Sequence, residues 1–205
     1  MRDGAMVLWG ARMSDRAYSI FDTAIGRCGI AWSAAGIAGV QLAEAREIET
    51  RRRLFKHFPD ARETRPPPNI ERAIQGIGAL LRGEYADFSD ITLHMTDIPA
   101  FFQRVYRITR EIPRGATLIY NEIAVRVGAS GALNSVSQAI ARNPFVIIVP
   151  CHRVLEKGSY ADAMSPHGGI ISKRRLLSIE GTPCPSTKTL FDVLLPPVAR
   201  PRLSG

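Results

Sequence analysis

The most informative stretch of the sequence reads Asn143-Pro144-Phe145-Val146-Ile147-Ile148-Val149-Pro150-Cys151-His152-Arg153-Val154. Its apolar centre, Val146 to Val149, is too short for an independent helix and rich in β-branched residues, so it predicts a buried strand. Pro150 ends that strand, because proline fixes its own φ and pushes the preceding residue into an extended conformation. Cys151 is therefore expected to leave a rigid segment in one defined direction.

Cys151 is the first candidate for chemistry. A cysteine attacks as its thiolate, so a reactive one needs a neighbouring base or a positive field, which His152 and Arg153 could supply. Neighbouring residues of an extended chain point to opposite faces, so His152 reaches the Cys151 sulfur only through a bridging water or a turn that starts at Pro150. A single cysteine is more often a small buried hydrophobe, and the Cys-His pair alone leaves that alternative open.

Length and composition narrow the class of protein. A chain of 205 residues that is 45% hydrophobic can build one good core or two small ones. No apolar run approaches the roughly 18 to 20 residues of a membrane span, and the start lacks the apolar core of a secretory signal, so we expect a cytoplasmic protein. The three cysteines, Cys28, Cys151 and Cys184, lack metal-ligand spacing and argue against both a disulfide framework and a zinc site.

Charge is unevenly distributed along the chain. Residues 1–98 contain 13 Lys or Arg and 13 Asp or Glu, whereas residues 99–205 contain 14 and 6, so the whole formal charge of +8 lies in the second half. A basic half beside a neutral half indicates a polyanionic partner, most simply nucleic acid. Many solvated surfaces are also basic, so composition alone leaves this interpretation open.

The first half predicts a small α/β unit. Residues 1–17 resemble a disordered leader, and a proline-rich connector lies at residues 65–68. The predicted elements are a β-hairpin or meander over 18–42, an amphipathic helix over 44–58, a second helix capped by Asn69 and ending near Leu81, and a strand over 91–95.

The second half predicts a mostly helical unit. A helix is expected from Pro99 to Glu111, with Pro99 at its first position. A short helix over 120–127, a tight turn over 128–131 and a second helix over 132–142 follow the helix-turn-helix pattern.

The second helix of that pattern has two distinct faces. Leu133, Val136 and Ile140 recur at helical spacing and predict the buried stripe. The exposed side then carries small or polar residues suited to close approach and hydrogen bonding with DNA, and the candidates for DNA binding are Asn134, Ser135, Gln138 and Arg142. An ordinary polar helix face is the alternative that this pattern alone leaves open.

Pro150-Cys151-His152-Arg153-Val154, with Asn143-Pro144 before it and Gly168-Gly169 and Leu176-Leu177-Ser178-Ile179-Glu180-Gly181 after it, resembles the alkylguanine-DNA alkyltransferase family. The similarity is strong over 99–181 and weaker over 18–97. It implies an α+β fold, with a small ribonuclease H-like N-terminal domain at 18–97 and a mostly helical, winged-helix-like C-terminal domain with a helix-turn-helix at 98–182. Residues 183–205 are expected to form a proline-rich tail.

The resemblance implies direct reversal of DNA damage. An alkyl group moves from the O6 of guanine to Cys151 once per molecule, and the O4 of thymine is a further candidate donor. The target base must be flipped out of the duplex, because the thiol cannot reach the oxygen of a stacked base. No cofactor is implied. The partner is double- or single-stranded DNA containing alkylated guanine, and the protein is expected to be a monomer without membrane association.

The resemblance also assigns roles position by position. Cys151 matches the alkyl acceptor, His152 a base that works through a water, and Glu180 the carboxylate that orients it. Asn143 is expected to brace the helix-to-strand corner, and Tyr120 to donate a hydrogen bond to the guanine. The carbonyls of Cys151 and Val154 would accept from the guanine amino group, and Ser165, in the loop near Gly168 and Gly169, would contact the guanine oxygen. Arg153 is expected to contact DNA.

Three positions depart from the family pattern. Asn134 stands where an arginine usually fills the gap left by the flipped base. Met164 stands where an aromatic residue usually walls the alkyl pocket. Ile119 replaces the usual Ser or Thr before the first helix of the helix-turn-helix, at an expected cost of about 1 kcal/mol for the lost N-cap.

Two other classes of function are alternatives. A non-catalytic sensor of alkylated DNA could recruit other repair factors, although such relatives lack the cysteine that is present here. A Cys-His hydrolase acting on an acyl substrate would need an oxyanion motif, and none is visible in the sequence.

Overall fold

The computed structural model describes residues 16–156 and 173–182 of the chain. Its strands are β1 (Ala17–Thr23), β2 (Gly26–Ser33), β3 (Gly36–Gln41), β4 (Arg62–Glu63), β5 (Leu118–Ile119) and β6 (Val154–Leu155). Its helices are α1 (Glu47–His57), α2 (Pro68–Leu81), α3 (Ala100–Arg110), α4 (Tyr120–Arg126), α5 (Leu133–Ala141), α6 (Lys173–Ile179) and a 3₁₀ turn at Cys151–Arg153. The predicted mixed α+β architecture is confirmed. No helix within these two ranges is long and apolar enough to cross a membrane.

The predicted meander is present as three antiparallel strands in a sheet of order β3-β2-β1-β4. Every residue of β3 is buried, because its outer edge is covered by two later segments. The Ile37 amide donates to the Thr92 carbonyl at 3.0 Å, and the Val40 amide donates to the Pro144 carbonyl at 2.8 Å. The strand predicted over 91–95 is reduced to a single bridge between Leu93 and Ile37.

Two helices start at positions other than the expected ones, α3 one residue later and α2 two residues earlier. Pro99 is the N-cap of α3 rather than its first residue. Pro67 is the N-cap of α2, which begins at Pro68. Asn69 therefore lies inside the first turn of α2 instead of capping it. Proline suits the first helical position, because the amide hydrogen that it lacks would have no partner within the helix there.

The main hydrophobic core runs from the sheet into the helices of the second half as one contiguous cluster. Tyr106 of α3 lies at its centre, fully buried. The Tyr106 ring packs edge-on against the Phe145 ring, with 6.0 Å between the ring centroids, and the Tyr106 hydroxyl donates to the Ala139 carbonyl of α5 at 2.9 Å. These contacts hold α3, α5 and the segment before Cys151 against one another.

The prediction of a strand over 146–149 is wrong. The segment is buried as expected, but the Val149 amide donates back to the Phe145 carbonyl at 2.8 Å, which closes a turn. Asn143 holds this turn: its side-chain oxygen accepts from the Phe145 amide at 3.0 Å and its side-chain nitrogen donates to the Val149 carbonyl at 2.9 Å. Ile147 has a φ of +75°, a conformation incompatible with a strand.

Helices α4 and α5 pack together across the turn predicted between them. Val136, Ala139 and Ile140 form the buried face of α5. Leu133 does not belong to it, and its side chain is 44% exposed. The predicted stripe is therefore corrected at its N-terminal end, because Leu133 is the first residue of α5 and lies outside the core cluster.

Candidate active site

Cys151 is delivered by two consecutive turns. Pro150 has φ −77° and ψ 66°, and the Cys151 amide donates to the Val149 carbonyl at 2.8 Å, which is an inverse γ-turn. The Arg153 amide then donates to the Pro150 carbonyl at 2.9 Å and starts the 3₁₀ turn. A turn starting at Pro150 is one of the two arrangements that the sequence allows, and it carries Cys151 and His152 into the interior, each only 1% exposed.

The parallel pair of β5 and β6 brings Tyr120 to the same place. Leu118 pairs with Val154 and Ile119 with Leu155, so Tyr120 begins α4 directly beside the end of the 3₁₀ turn. Ile119 is the N-cap of α4 and has no polar side chain to cap it, as expected. The Glu122 carboxylate supplies the reciprocal half of the cap by accepting from the Ile119 amide at 2.7 Å.

Helix α6 contributes two charged residues from a single face. Lys173, Leu176, Leu177 and Glu180 are spaced i, i+3, i+4 and i+7, and all four are buried. The two leucines anchor this face in the core, and the charged residues at its ends reach the 3₁₀ turn.

Glu180 links His152 and Arg153. Its carboxylate lies 2.9 Å from the Nε2 of His152, and it accepts from the Nε and Nη2 of Arg153 at 2.9 and 2.7 Å. Burial raises the pKa of Glu180, but the hydrogen bonds from His152 and Arg153 outweigh it and hold the pKa at about 2. A carboxylate ionised at neutral pH only accepts, so the Nε2 of His152 must carry the hydrogen.

The other imidazole nitrogen is left as an acceptor. Burial lowers the pKa of His152 more than Glu180 raises it, so the ring is neutral at pH 7. With the hydrogen on Nε2, the Nδ1 of His152 holds a lone pair, and it is buried with no hydrogen-bond partner among the described residues. A buried nitrogen in this state can take up a proton.

The Cys151 thiol lies in a field with opposing contributions. Burial raises its pKa, whereas the Asn143 amide and the positive charge of Lys173 act to lower it, and burial prevails. A thiol of raised pKa is protonated at neutral pH, so attack by its sulfur requires a base.

Lys173 is a further residue of the site that the sequence does not single out. Its ammonium donates to the Tyr120 hydroxyl at 3.4 Å and to the Val154 carbonyl at 3.2 Å, and it lies 5.7 Å from the centre of the Tyr120 ring. In the sequence Lys173 begins a basic run, Lys173-Arg174-Arg175, that suggests a solvated surface. The signal that could have found it is its spacing from Leu176 and Leu177, which puts it on the buried face.

The other predicted catalytic and substrate-binding residues divide into two groups. Asn143, Tyr120 and Val154 surround the turn that carries Cys151 and His152. The carbonyls expected to bind guanine already accept one hydrogen bond each, that of Cys151 from the Val154 amide and that of Val154 from Lys173. The remaining candidates, Met164, Ser165, Gly168 and Gly169, lie outside the described residues.

The predicted DNA-binding residues are not all on one surface. Asn134, Ser135, Gln138 and Arg142 are exposed on α5 or at its end. Arg153 is different, since its side chain is only 11% exposed and its guanidinium is occupied by Glu180 and the Ile112 carbonyl. The prediction that Arg153 contacts DNA therefore does not fit its position, and we regard it as part of the Glu180 site. Within residues 16–156 and 173–182 no cluster of His, Cys, Asp or Glu could hold a metal ion.

Comparison with known proteins supports a single family. Residues 100–182 match the family described as 6-O-methylguanine DNA methyltransferase, DNA binding domain. The chain is 39% identical over 129 residues to a methylated-DNA-protein-cysteine methyltransferase of Mycolicibacterium paratuberculosis, covering 63% of this chain and 76% of that protein. It is 33% identical over 153 residues to the protein of that name from Methanothermobacter thermautotrophicus, covering 75% and 78%.

Solved structures agree with this comparison. The crystal structure of Mycobacterium tuberculosis O6-methylguanine methyltransferase aligns with a TM-score of 0.62 and 30% identity, covering 86% of this chain and 99% of that one. The M. tuberculosis protein OGT in complex with DNA aligns with a TM-score of 0.61 and 27% identity, covering 80% and 92%. Sequence and fold together therefore establish that the chain belongs to the methylated-DNA-protein-cysteine methyltransferase family.

Proposed function

We propose that this protein repairs DNA by direct reversal and that Cys151 accepts a methyl or larger alkyl group from the O6 of guanine, with the O4 of thymine as a further candidate. The observation that carries the proposal is that a buried thiol and a buried histidine are neighbours in one turn, and that the Nε2 of this histidine bonds to Glu180. Family membership makes alkyl transfer to cysteine the reaction that fits this arrangement.

The transfer balances as a single displacement. The Nδ1 of His152 takes the thiol proton, through a bridging water in the arrangement that the family resemblance implies. The sulfur then forms a bond to the alkyl carbon while the bond between that carbon and the guanine oxygen breaks, leaving its electron pair on guanine. Guanine takes up one proton, so the products are a thioether and an unmodified base. The thioether is not hydrolysed, and each molecule acts once.

Tyr120 and Lys173 are proposed to assist the leaving base. The Tyr120 hydroxyl donates to guanine as negative charge develops on the ring. Because the Lys173 ammonium donates to the Tyr120 oxygen, it strengthens the hydroxyl as a donor. The same ammonium favours the Cys151 thiolate. The carbonyls of Cys151 and Val154 each keep a second lone pair for the guanine amino group, and Met164, Ser165, Gly168 and Gly169 complete the pocket in this proposal.

The α4-turn-α5 unit is proposed to act as a helix-turn-helix within a winged-helix-like domain that covers residues 98–182. The exposed residues of α5 would contact DNA while the target base is rotated into the protein. Residues 18–97 form the proposed ribonuclease H-like domain, whose role is to brace the second half through the bridge between Val40 of β3 and Phe145. A nucleophilic thiol must stay reduced, so the cytoplasm is the proposed site of action.

The test is the intact mass of the protein after incubation with an oligonucleotide containing O6-methylguanine, followed by peptide mapping. We expect the stoichiometric gain of one methyl group on the peptide that contains Cys151, and no gain in Cys151→Ala. Cys28→Ala is the matched control, because Cys28 is equally buried and should be dispensable for transfer. Binding of the methylated oligonucleotide without any gain of mass would instead identify a non-catalytic sensor.

A further inference from the structure

We infer that Arg114, which lies outside the set of reacting residues, positions the Glu180 carboxylate by joining the ends of two helices. Its guanidinium donates to the Ile179 and Glu180 carbonyls at 3.1 and 3.2 Å, at the end of α6. It also donates to the Gly83 and Glu84 carbonyls at 2.7 and 2.6 Å, just beyond α2. One side chain therefore ties the site helix to the N-terminal half of the chain.

Arg114 bonds to two backbone carbonyls at the end of α6 that the helix itself does not satisfy. Gly181 adopts a φ of +72°, and the amides of Gly181 and Thr182 donate back into the last turn of the helix. This glycine-based cap satisfies two of the carbonyls that a helix end leaves without partners. The Ile179 and Glu180 carbonyls are the next two along the chain, and they accept from Arg114. The backbone of Glu180 is thus held from both sides.

The charge of Arg114 suits this position. Carbonyl groups accumulate partial negative charge at the C-terminal end of a helix, and a cation there is stabilising. Arg114 faces one such end, that of α6, and also bonds to the Gly83 and Glu84 carbonyls in the segment that follows α2. It forms no ion pair with an acidic side chain in the described part of the chain, so its five donors remain available for these carbonyls.

The consequence for the site follows from the bonds that Glu180 makes. Its carboxylate accepts from the Nε2 of His152 and from Arg153, so its position selects which imidazole nitrogen carries the hydrogen. Without Arg114 the last turn of α6 loses two of its bonds and the carboxylate is free to shift. Part of the His152 population would then carry its hydrogen on Nδ1, where it cannot accept the thiol proton. This inference rests on the proposed function of His152 as the base.

Arg110 offers a matched control. It is a half-buried arginine of α3 whose Nη2 donates to the carbonyls of Phe88, Ser89 and Ile91, on the loop that follows α2. It therefore makes the same kind of connection between the two halves of the chain as Arg114 does. None of its described contacts involves α6.

The experiment compares Arg114→Gln with Arg110→Gln in the full-length protein. The rate of methyl transfer is measured at saturating DNA together with the Kd for undamaged DNA. The His152 tautomer is read from long-range proton-nitrogen correlation spectra, with the His152 signals assigned from their loss in His152→Asn. In Arg114→Gln we expect a transfer rate lowered about ten-fold or more, since small misplacements of catalytic groups are costly. The Kd for undamaged DNA should be unchanged, and both His152 tautomers should be present. Arg110→Gln should keep the wild-type rate and the single tautomer.

Equal effects of the two substitutions on the transfer rate and on the His152 tautomer, after correction for the folded fraction, would overturn the inference. A wild-type rate and a single tautomer in Arg114→Gln would overturn it too. If Arg114→Gln does not fold, Arg114→Lys replaces it, since lysine keeps the charge but not the planar fork. An intermediate rate and a partial mixture of tautomers are then expected, and wild-type values overturn the inference. Failure of the wild-type protein to accept a methyl group would refute the proposed function, whereas the tautomer would still test the role of Arg114.

Discussion

Glu180 keeps its negative charge inside the protein because two donors face it from the same turn. The His152 imidazole and the Arg153 guanidinium both bond to its carboxylate, and Arg153 is the cation that balances it. Removing one member of a buried ion pair is costly, because the other charge remains in the interior without compensation.

Glu180→Gln is expected to lower the free energy of unfolding by about 3 kcal/mol at neutral pH, because it leaves the Arg153 charge unbalanced. The measurement is urea denaturation of the wild type and the variant. Glu84→Gln is the control, since Glu84 pairs with Arg82 at the surface, where water screens the charges and a much smaller change is expected.

The pH dependence of that difference follows from the pKa of Glu180. Its ordinary value is 4.5, and the folded protein holds it at about 2. A carboxyl group with a lowered pKa stabilises the folded state above its unfolded pKa and loses that contribution as the pH falls toward its folded pKa. The difference in the free energy of unfolding between wild type and Glu180→Gln should therefore stay constant from neutral pH down to about pH 5 and become smaller at lower pH. A difference that disappears at higher pH would contradict the proposed ion pair.

Ile147 stores strain four residues before Cys151. Its φ of +75° is rare for a residue with a β-branched side chain, and such conformations cost of order 1 to 3 kcal/mol. Ile148 is also buried but has no positive φ, which makes it a matched position.

Replacing each isoleucine by alanine and by glycine separates strain from packing. At Ile148, glycine should be less stable than alanine by about 0.5 to 1 kcal/mol, the usual backbone cost of glycine. At Ile147 the order should reverse, because alanine retains the Cβ that costs roughly 1 to 2 kcal/mol in the left-handed conformation. The free energies of unfolding of the four variants decide the matter, and the same order at both positions would show that no strain is stored.

Among the elements, α5 carries the clearest departure from the family pattern. Asn134 is exposed on this helix, where the resemblance implies an arginine that fills the gap left by a flipped base. Asparagine is shorter and uncharged, so the flipped state should be less stabilised. Rotating a base out of a duplex costs a few kcal/mol and less when the base is mismatched or unpaired.

We therefore expect methyl transfer to be faster on single-stranded or mismatched DNA than on a well-paired duplex, and Asn134→Arg to narrow this gap by accelerating the duplex reaction. Single-turnover rates on both substrates provide the measurement. Ser137→Arg is the control, because it adds the same charge to another exposed position of α5 and should change both rates alike. Equal wild-type rates, with no gain in Asn134→Arg, would indicate that Gln138 or Arg142 already substitutes.

The elements also differ in how well the sequence predicts them. Helices α3, α4 and α5 follow from apolar spacing, and their bounds agree with the prediction to within one or two residues, whereas α6 is not predicted as a helix. The segment before Cys151 does not follow from such a pattern, because its β-branched run indicates a strand while its conformation depends on hydrogen bonds from Asn143. A side chain that replaces backbone partners leaves no periodic signal. Arg114 is hidden for the same reason, since its four carbonyl partners come from two separate segments, the one that follows α2 and the end of α6.

At the scale of the whole molecule, charge is organised differently in the two halves. In the first half, arginines along α1 and the sheet pair with nearby carboxylates, as Arg51 does with Glu47 and Glu63. In the second half, Arg126 and Arg142 are exposed and form no ion pair with a described residue. The charges of Arg126 and Arg142 are therefore available to phosphates.

This distribution predicts how binding responds to salt. A protein that neutralises DNA phosphates releases condensed counterions, so its affinity for undamaged DNA should fall steeply as the salt concentration rises. Arg142→Gln should weaken binding for all sequences and reduce the slope of log K against log salt by about one, because one phosphate contact is lost. Arg82→Gln is the matched control, since Arg82 belongs to the first half and already pairs with Glu84. Titrations by fluorescence anisotropy at several salt concentrations make the comparison. A salt-independent affinity, or equal slopes for the two variants, would mean that the basic half does not bind DNA through its charge.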